Sequence, residues 1–161
     1  MTVGPMNANE YFDLKLFRTN FRARDKRDAL SQMARVIHKA GYCETEAEAL
    51  SVLWSRELIG STGLTGGLAV PGDIGTQMYR RSGIGILVAP DGVPFDTQDA
   101  LPVRVFVLLA LSKPVTGMWL KCFAIVSRCL RRRIFRSDLF ASSTPEEVLR
   151  VICKYGDFEL E

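Results

Sequence analysis

Arg56, Ser61, Thr62, Gly63 and Gly67 fall within one short stretch, SRELIGSTGLTGGLAVPGDIG, residues 55–75. Glycines at 60, 63, 66 and 67 let a backbone turn sharply and aim several amide N–H groups into one concavity. Ser61 and Thr62 add hydroxyl donors. Arg56 brings a planar, permanently charged fork to the same place. These residues are expected to form a cradle for a phosphoryl group or another small anion. They read equally as a tight helix-to-strand connection with an exposed arginine beside it.

Other chemistries find less support. The chain has no G-x-x-x-x-G-K-[ST] phosphate loop, and GIGILV (83–88) lacks the third glycine of the dinucleotide fingerprint, so nucleotide binding is not expected. Cys43, Cys122, Cys129 and Cys153 are scattered, and His38 is the one histidine. That spacing suits neither a zinc site nor a disulfide framework, so buried free thiols, no metal and no cofactor are expected. His38 falls on the flank of a helical apolar face and reads as a rim residue. The run SRCLRRRIFR (127–136) places Arg128, Arg131 and Arg132 with two further arginines at the expected end of a helix. Cations there suit the helix dipole and a solvated face. The functional alternative is a docking surface for an acidic protein partner; without aromatic interleaving, nucleic acid is not expected.

The elements that must position these groups are legible in the pattern. A helix is expected from about Asp25 to Ala40, with Leu30, Met33, Ala34 and Ile37 on one face, Asp25 capping it and Gly41 ending it. A second opens on the Thr45–Glu48 capping box and ends near Leu58, just before the glycine stretch. Strands follow at 83–89 and 103–111, separated by the turn-forming PDGVPFDTQDALP. The second strand is apolar on both faces after Arg104, as a strand with helices on each side would be. A third helix is expected from about Thr116 to Leu130, with Trp119, Phe123, Val126 and Leu130 as its stripe. A last one is capped by Thr144, with Pro145 in its first turn. The result is an α/β fold: a single-domain three-layer sandwich with a central mixed sheet and helices on both faces. Residues 1–10 and 156–161 read as loose tails around a domain at 11–155.

At 161 residues with 47% apolar and 24% charged side chains, the chain can bury one core, and its net charge of +3 does not single out nucleic acid. The first residues carry neither a basic start nor an apolar h-region, so no signal peptide is expected. VFVLLAL (105–111) is too short to span a bilayer, and a cytoplasmic location is expected.

The stretch SRELIGSTGLTGGLAVP resembles the signature of enzyme IIA domains of the fructose–mannitol type in the bacterial sugar phosphotransferase system, including their nitrogen-regulatory branch. KAGY (39–42), EAEALSVLWSRE, PDGVPFD, LPVRVFVLLAL and TPEEVLRVI occur in matching order, so the resemblance covers roughly residues 12 to 155. It implies a fold of that kind and a histidine that takes a phosphoryl group from the carrier protein HPr. This chain has Gly72 where the resemblance places that histidine, and Trp119 near the position of a second, assisting one. Glycine offers no attacking atom, so no catalytic residue is expected. Asp73 is adjacent, but along an extended chain its side chain points elsewhere.

The expected function is therefore a regulatory or protein-binding domain of this type that has lost phosphotransfer, its partner HPr-like or a regulated target. The alternatives are a phosphoryl carrier with a different acceptor and a small-anion sensor using the cradle.

Overall fold

A computed structural model describes residues 6–73, 75–113 and 117–159. Strand β1 (Met6–Asn7) leads into two short 3-10 turns, Ala8–Glu10 and Leu14–Leu16, and then helices α1 (Lys26–Lys39) and α2 (Glu46–Ile59). Strands β2 (Leu68–Ala69), β3 (Gly83–Val93) and β4 (Val103–Ala110) follow. Helices α3 (Gly117–Cys129), α4 (Arg133–Phe140) and α5 (Pro145–Tyr155) and strand β5 (Phe158–Glu159) complete the order.

The caps form where the side-chain chemistry calls for them. Asp25 accepts from the Asp28 N–H at 2.9 Å, Thr45 from the Glu48 N–H at 3.1 Å and Thr144 from the Glu147 N–H at 3.2 Å. Gly41, at φ +85°, turns the chain after α1.

The sheet order is β2-β4-β3, with β2 parallel and β3 antiparallel to the central β4. Side chains alternate across it. Leu87, Phe106 and Leu108 pack with α1 and α2 residues such as Leu30, Met33, Ile37 and Leu53. Ile84, Ile86, Val105 and Val107 pack on the other face with Cys122, Ile125, Phe135, Leu149 and Ile152. Helices thus cover both faces of a mixed sheet, which is the expected three-layer α/β domain. The outer edge of β3 is covered too: the Asp13, Arg18 and Phe21 N–H groups donate to the carbonyls of Ile84, Ile86 and Val88.

Four expectations change. Residues 6–10 and 156–159 are not loose ends: Met6–Asn7 pairs in parallel with Phe158–Glu159, and Ala8 is fully buried. The strand expected at 83–89 continues to Val93, because an irregularity after Val88, with Gly92 at φ +79°, absorbs the turn-forming residues without ending the pairing. In α3 Val126 is buried as expected, as is Leu130 just past its end, but the rest of the buried face is Cys122, Ile125 and Cys129, with Trp119 and Phe123 half-buried on its flank. The expected start at Thr116 lies outside the described residues. Finally, α4 is a separate helix that sequence reading missed, as Phe135 and Leu139 give it only one buried i, i+4 pair. Among the described residues no helix is long and apolar enough to cross a membrane.

Candidate functional site

The glycine stretch leaves the end of α2 at Gly60 and folds back on itself. Val70 N–H donates to Thr62 C=O at 3.0 Å and Leu64 N–H to Leu68 C=O at 2.8 Å. The tip turns through Gly66 (φ +70°) and Gly67 (φ +80°), a left-handed pair that glycine adopts without strain. Gly67 C=O then accepts from Arg104 N–H at 2.7 Å and Val105 N–H at 3.0 Å, which ties the tip to the start of β4.

On the inner side of this loop stands Glu57, 7% exposed, one of two buried polar side chains among the described residues; the other is Thr62. Its carboxylate accepts from the Thr62 N–H at 3.0 Å and from the Thr62 hydroxyl. Lys26, in the first turn of α1, places Nζ 2.6 Å from Glu57 Oε1 and 3.1 Å from Ser61 Oγ, while also lying 4.9 Å from the centre of the Phe95 ring. Ser61 donates to Asp96 C=O at 2.6 Å and accepts from Gly63 N–H at 3.2 Å. A charge this buried is tolerable because it is paired and its remaining lone pairs are bonded.

Sequence reading missed Glu57 as the residue that closes the inner side of the loop. The signal was present: it lies four residues after the buried Leu53 on the apolar side of α2, and it is an acid in a last turn, where the helix dipole disfavours one.

Ser61, Thr62 and Gly63, expected in the cradle, are therefore brought together, but each donates within the chain: Thr62 to Glu57, Ser61 to Asp96 C=O and Gly63 N–H to Ser61 Oγ. Arg56 curls back so that Nη1 donates to Gly60 C=O at 2.7 Å. Gly67 faces the other side of the loop. At the tip, Asp99 accepts the Gly66 N–H at 2.9 Å and the Leu101 N–H at 3.1 Å, and these backbone donors, Gly66 first, hold its carboxyl below the usual carboxylate range.

Past the loop the chain continues alongside β4, with Leu109 N–H donating to Pro71 C=O at 2.9 Å. Gly72 is buried at φ +118°. A Cβ built there would stand 2.1 Å from the Leu109 carbonyl oxygen, so this backbone holds no side chain at position 72. Asp73 is half-buried and, after burial itself and the Cys43 thiol, helps raise the Tyr79 phenol. His38 sits in the last turn of α1, about 18 Å along the helix from the Lys26 that touches the loop. Trp119 packs edge-on against Tyr11, ring centres 5.2 Å apart, as an anchor for α3.

The four thiols are free; burial raises each of them, Cys122 to about 12 and Cys153 to about 11, which leaves them protonated and unreactive at neutral pH.

The arginine run does not sit at one helix end. Arg128 is in the last turn of α3, Arg131 and Arg132 form the turn between helices, and Arg133 and Arg136 belong to α4. Arg132 lies over the Tyr155 ring at 5.2 Å. Arg131 lines a groove that Gly67 also lines, so two regions read separately in the sequence share one cavity.

Comparison with known proteins agrees with this architecture. The sequence profile described as "Phosphoenolpyruvate-dependent sugar phosphotransferase system, EIIA 2" matches residues 10–155. A relative, the "PTS system fructose-specific EIIABC component" of Bacillus subtilis, is 22% identical over 91% of this chain, which spans 23% of that protein's length. The crystal structure of nitrogen regulatory protein IIA-Ntr from Neisseria meningitidis superposes with a TM-score of 0.75 at 22% identity, covering 89% of this chain and 97% of that one. Enzyme IIA of the mannitol system from Escherichia coli, solved in complex with phosphorylated enzyme IIB, gives 0.71 at 19% identity over 89% and 97%.

Proposed function

This chain belongs to the EIIA 2 family of the phosphoenolpyruvate-dependent sugar phosphotransferase system, and we propose that it is a member that no longer transfers phosphoryl groups and works by docking a protein partner. The observation that carries this reading is the backbone at Gly72. A phosphoryl acceptor needs a nucleophilic atom held at the attack distance. The resemblance puts the family's histidine at this position, and here the chain turns through a positive φ against the Leu109 carbonyl. Simple substitution would not restore the nucleophile.

The docking surface is the end of α2. Leu58 and Ile59 are 81% and 84% exposed, side by side, next to Arg56 and the glycine loop. Large apolar side chains exposed together beside a cation suit the core of a transient protein interface. The mannitol enzyme IIA was solved with a protein partner, and by likeness an HPr-like carrier or a regulated target is the class of partner proposed. On this reading the domain works in the cytoplasm.

The test is incubation with enzyme I, HPr and labelled phosphoenolpyruvate. No label should reach this chain, while HPr should bind it and lose that binding on Ile59→Glu. Stoichiometric label on any residue would overturn the reading in favour of a carrier with a different acceptor.

A further inference from the structure

The groove on the outer side of the glycine loop has the make-up of a ligand site. It encloses about 570 Å³ between the loop tip, the start of β4 and the turn from α3 to α4. That volume is of the size that holds small organic molecules. Its apolar wall includes Leu68, Leu130 and Phe140, and three guanidinium groups, Arg104, Arg131 and Arg136, line it as well. No carboxylate is among the lining residues, and none of the three arginines forms an ion pair among the described residues.

Two of the guanidiniums are held in place by neutral groups. Arg104 stacks on the Phe140 ring at 4.1 Å and donates from Nε to Pro90 C=O at 3.1 Å. Arg136 donates from Nη1 to Leu130 C=O at 2.7 Å. Each bond uses one of five N–H donors, so both forks keep donors to offer. Arg131 is exposed and completes the set. Positive charge is thus concentrated beside apolar walls; Asp99, bonded to the amides of the lining residues Gly66 and Leu101, forms an ion pair with none of the three arginines. An inorganic anion would satisfy the cations and leave the wall unused; a neutral apolar molecule would do the reverse.

We propose that this groove binds a small amphipathic anion, a carboxylate or phosphate monoester on an apolar body, with its head at the three guanidiniums and its body against Leu68, Leu130 and Phe140. The site is separate from Gly72 and from the α2 docking surface, so the phosphoryl-labelling result does not bear on it.

The test uses the full chain and the aromatic anion 8-anilinonaphthalene-1-sulfonate as fluorescent probe, with decanoate and decyl phosphate as competitors. Both should displace it, and whichever is stronger identifies the head group. Decanol and inorganic phosphate at equal concentration should not. Arg131→Gln should weaken decanoate about tenfold, the loss of one charge-assisted contact. Ser127→Trp, which adds bulk to the lining, should abolish binding, and Arg128→Gln, outside the lining, should leave it unchanged. Thermal melts confirm that each variant is folded. The proposal is overturned if decanol competes as well as decanoate, if inorganic phosphate alone displaces the probe, or if Arg128→Gln weakens binding as much as Arg131→Gln.

Discussion

The glycine loop separates two charged regions built in opposite ways. On its inner side one carboxylate, Glu57, is matched by Lys26 and by both donors of Thr62. On its outer side Arg104, Arg131 and Arg136 face a groove with no carboxylate in its lining. The inner charges are closed on each other and fix the backbone; the outer ones have geometry but no ion pair among the described residues. The donors of Thr62 are thus spent on structure, and capacity to bind is to be sought where charge is left unmatched.

The sharpest break of this contrast is on the inner side. Glu57→Ala leaves Lys26 without its anion and strands the buried Thr62 donors, and should cost about 3–5 kcal/mol in urea unfolding. Replacing both charges, Lys26→Met with Glu57→Leu, removes the unpaired charge but not the orphaned Thr62 N–H, so about 1–3 kcal/mol of the loss should remain. Full recovery in the double variant would mean that the loop does not depend on Glu57.

Next in size is Gly72→Ala. A positive φ and a 2.1 Å approach to the Leu109 carbonyl both oppose a Cβ, and the loss should be about 3 kcal/mol. Gly60→Ala, whose Cβ would meet nothing within 4 Å, should stay within about 0.5 kcal/mol. Similar midpoints for the two would show that the chain at Gly72 yields easily, which would reopen that position to a side chain.

What the sequence disclosed divides along the same line. Helix caps are local chemistry, so Asp25, Thr45 and Thr144 announced three helices correctly. The both-sided apolar run after Arg104 announced the central strand. The glycines and hydroxyls announced a loop rich in donors. Residue types do not say where donors point, and only the folded chain shows that Glu57, paired with Lys26, takes both Thr62 donors while the Ser61 hydroxyl goes to the Asp96 carbonyl. The groove was illegible for another reason: Gly67, Arg104, Arg131 and Arg136 meet only after the sheet and α4 are in place, and α4 is too short to advertise itself by period. The β2 strand, two residues long, escaped in the same way.

On the outer side, stability should respond little. Arg131→Gln should change the unfolding free energy by less than about 0.5 kcal/mol, because an exposed cation without an ion pair contributes little to the fold. Arg104→Gln should cost about 1 kcal/mol, since it loses the Phe140 stack and the bond to Pro90. If Arg131→Gln destabilised as Glu57→Ala does, the outer arginines would be structural and the contrast would fail.

The smallest effect is expected at the loop tip, where Asp99 holds the Gly66 and Leu101 amides from an exposed position. Its folded value lies below the ordinary 3.8, so the ionised form is the one that favours the fold. That contribution is fully present above the ordinary carboxylate value and is lost as pH falls through the lowered one. Asp99→Asn retains an acceptor for one amide but cannot titrate. The stability difference between the parent and Asp99→Asn should therefore be constant from neutral pH down to the carboxylate range and shrink below it, with the Gly66 amide resonance moving over the same interval. A difference that grows on acidification would mean that the tip is held by something other than this carboxylate.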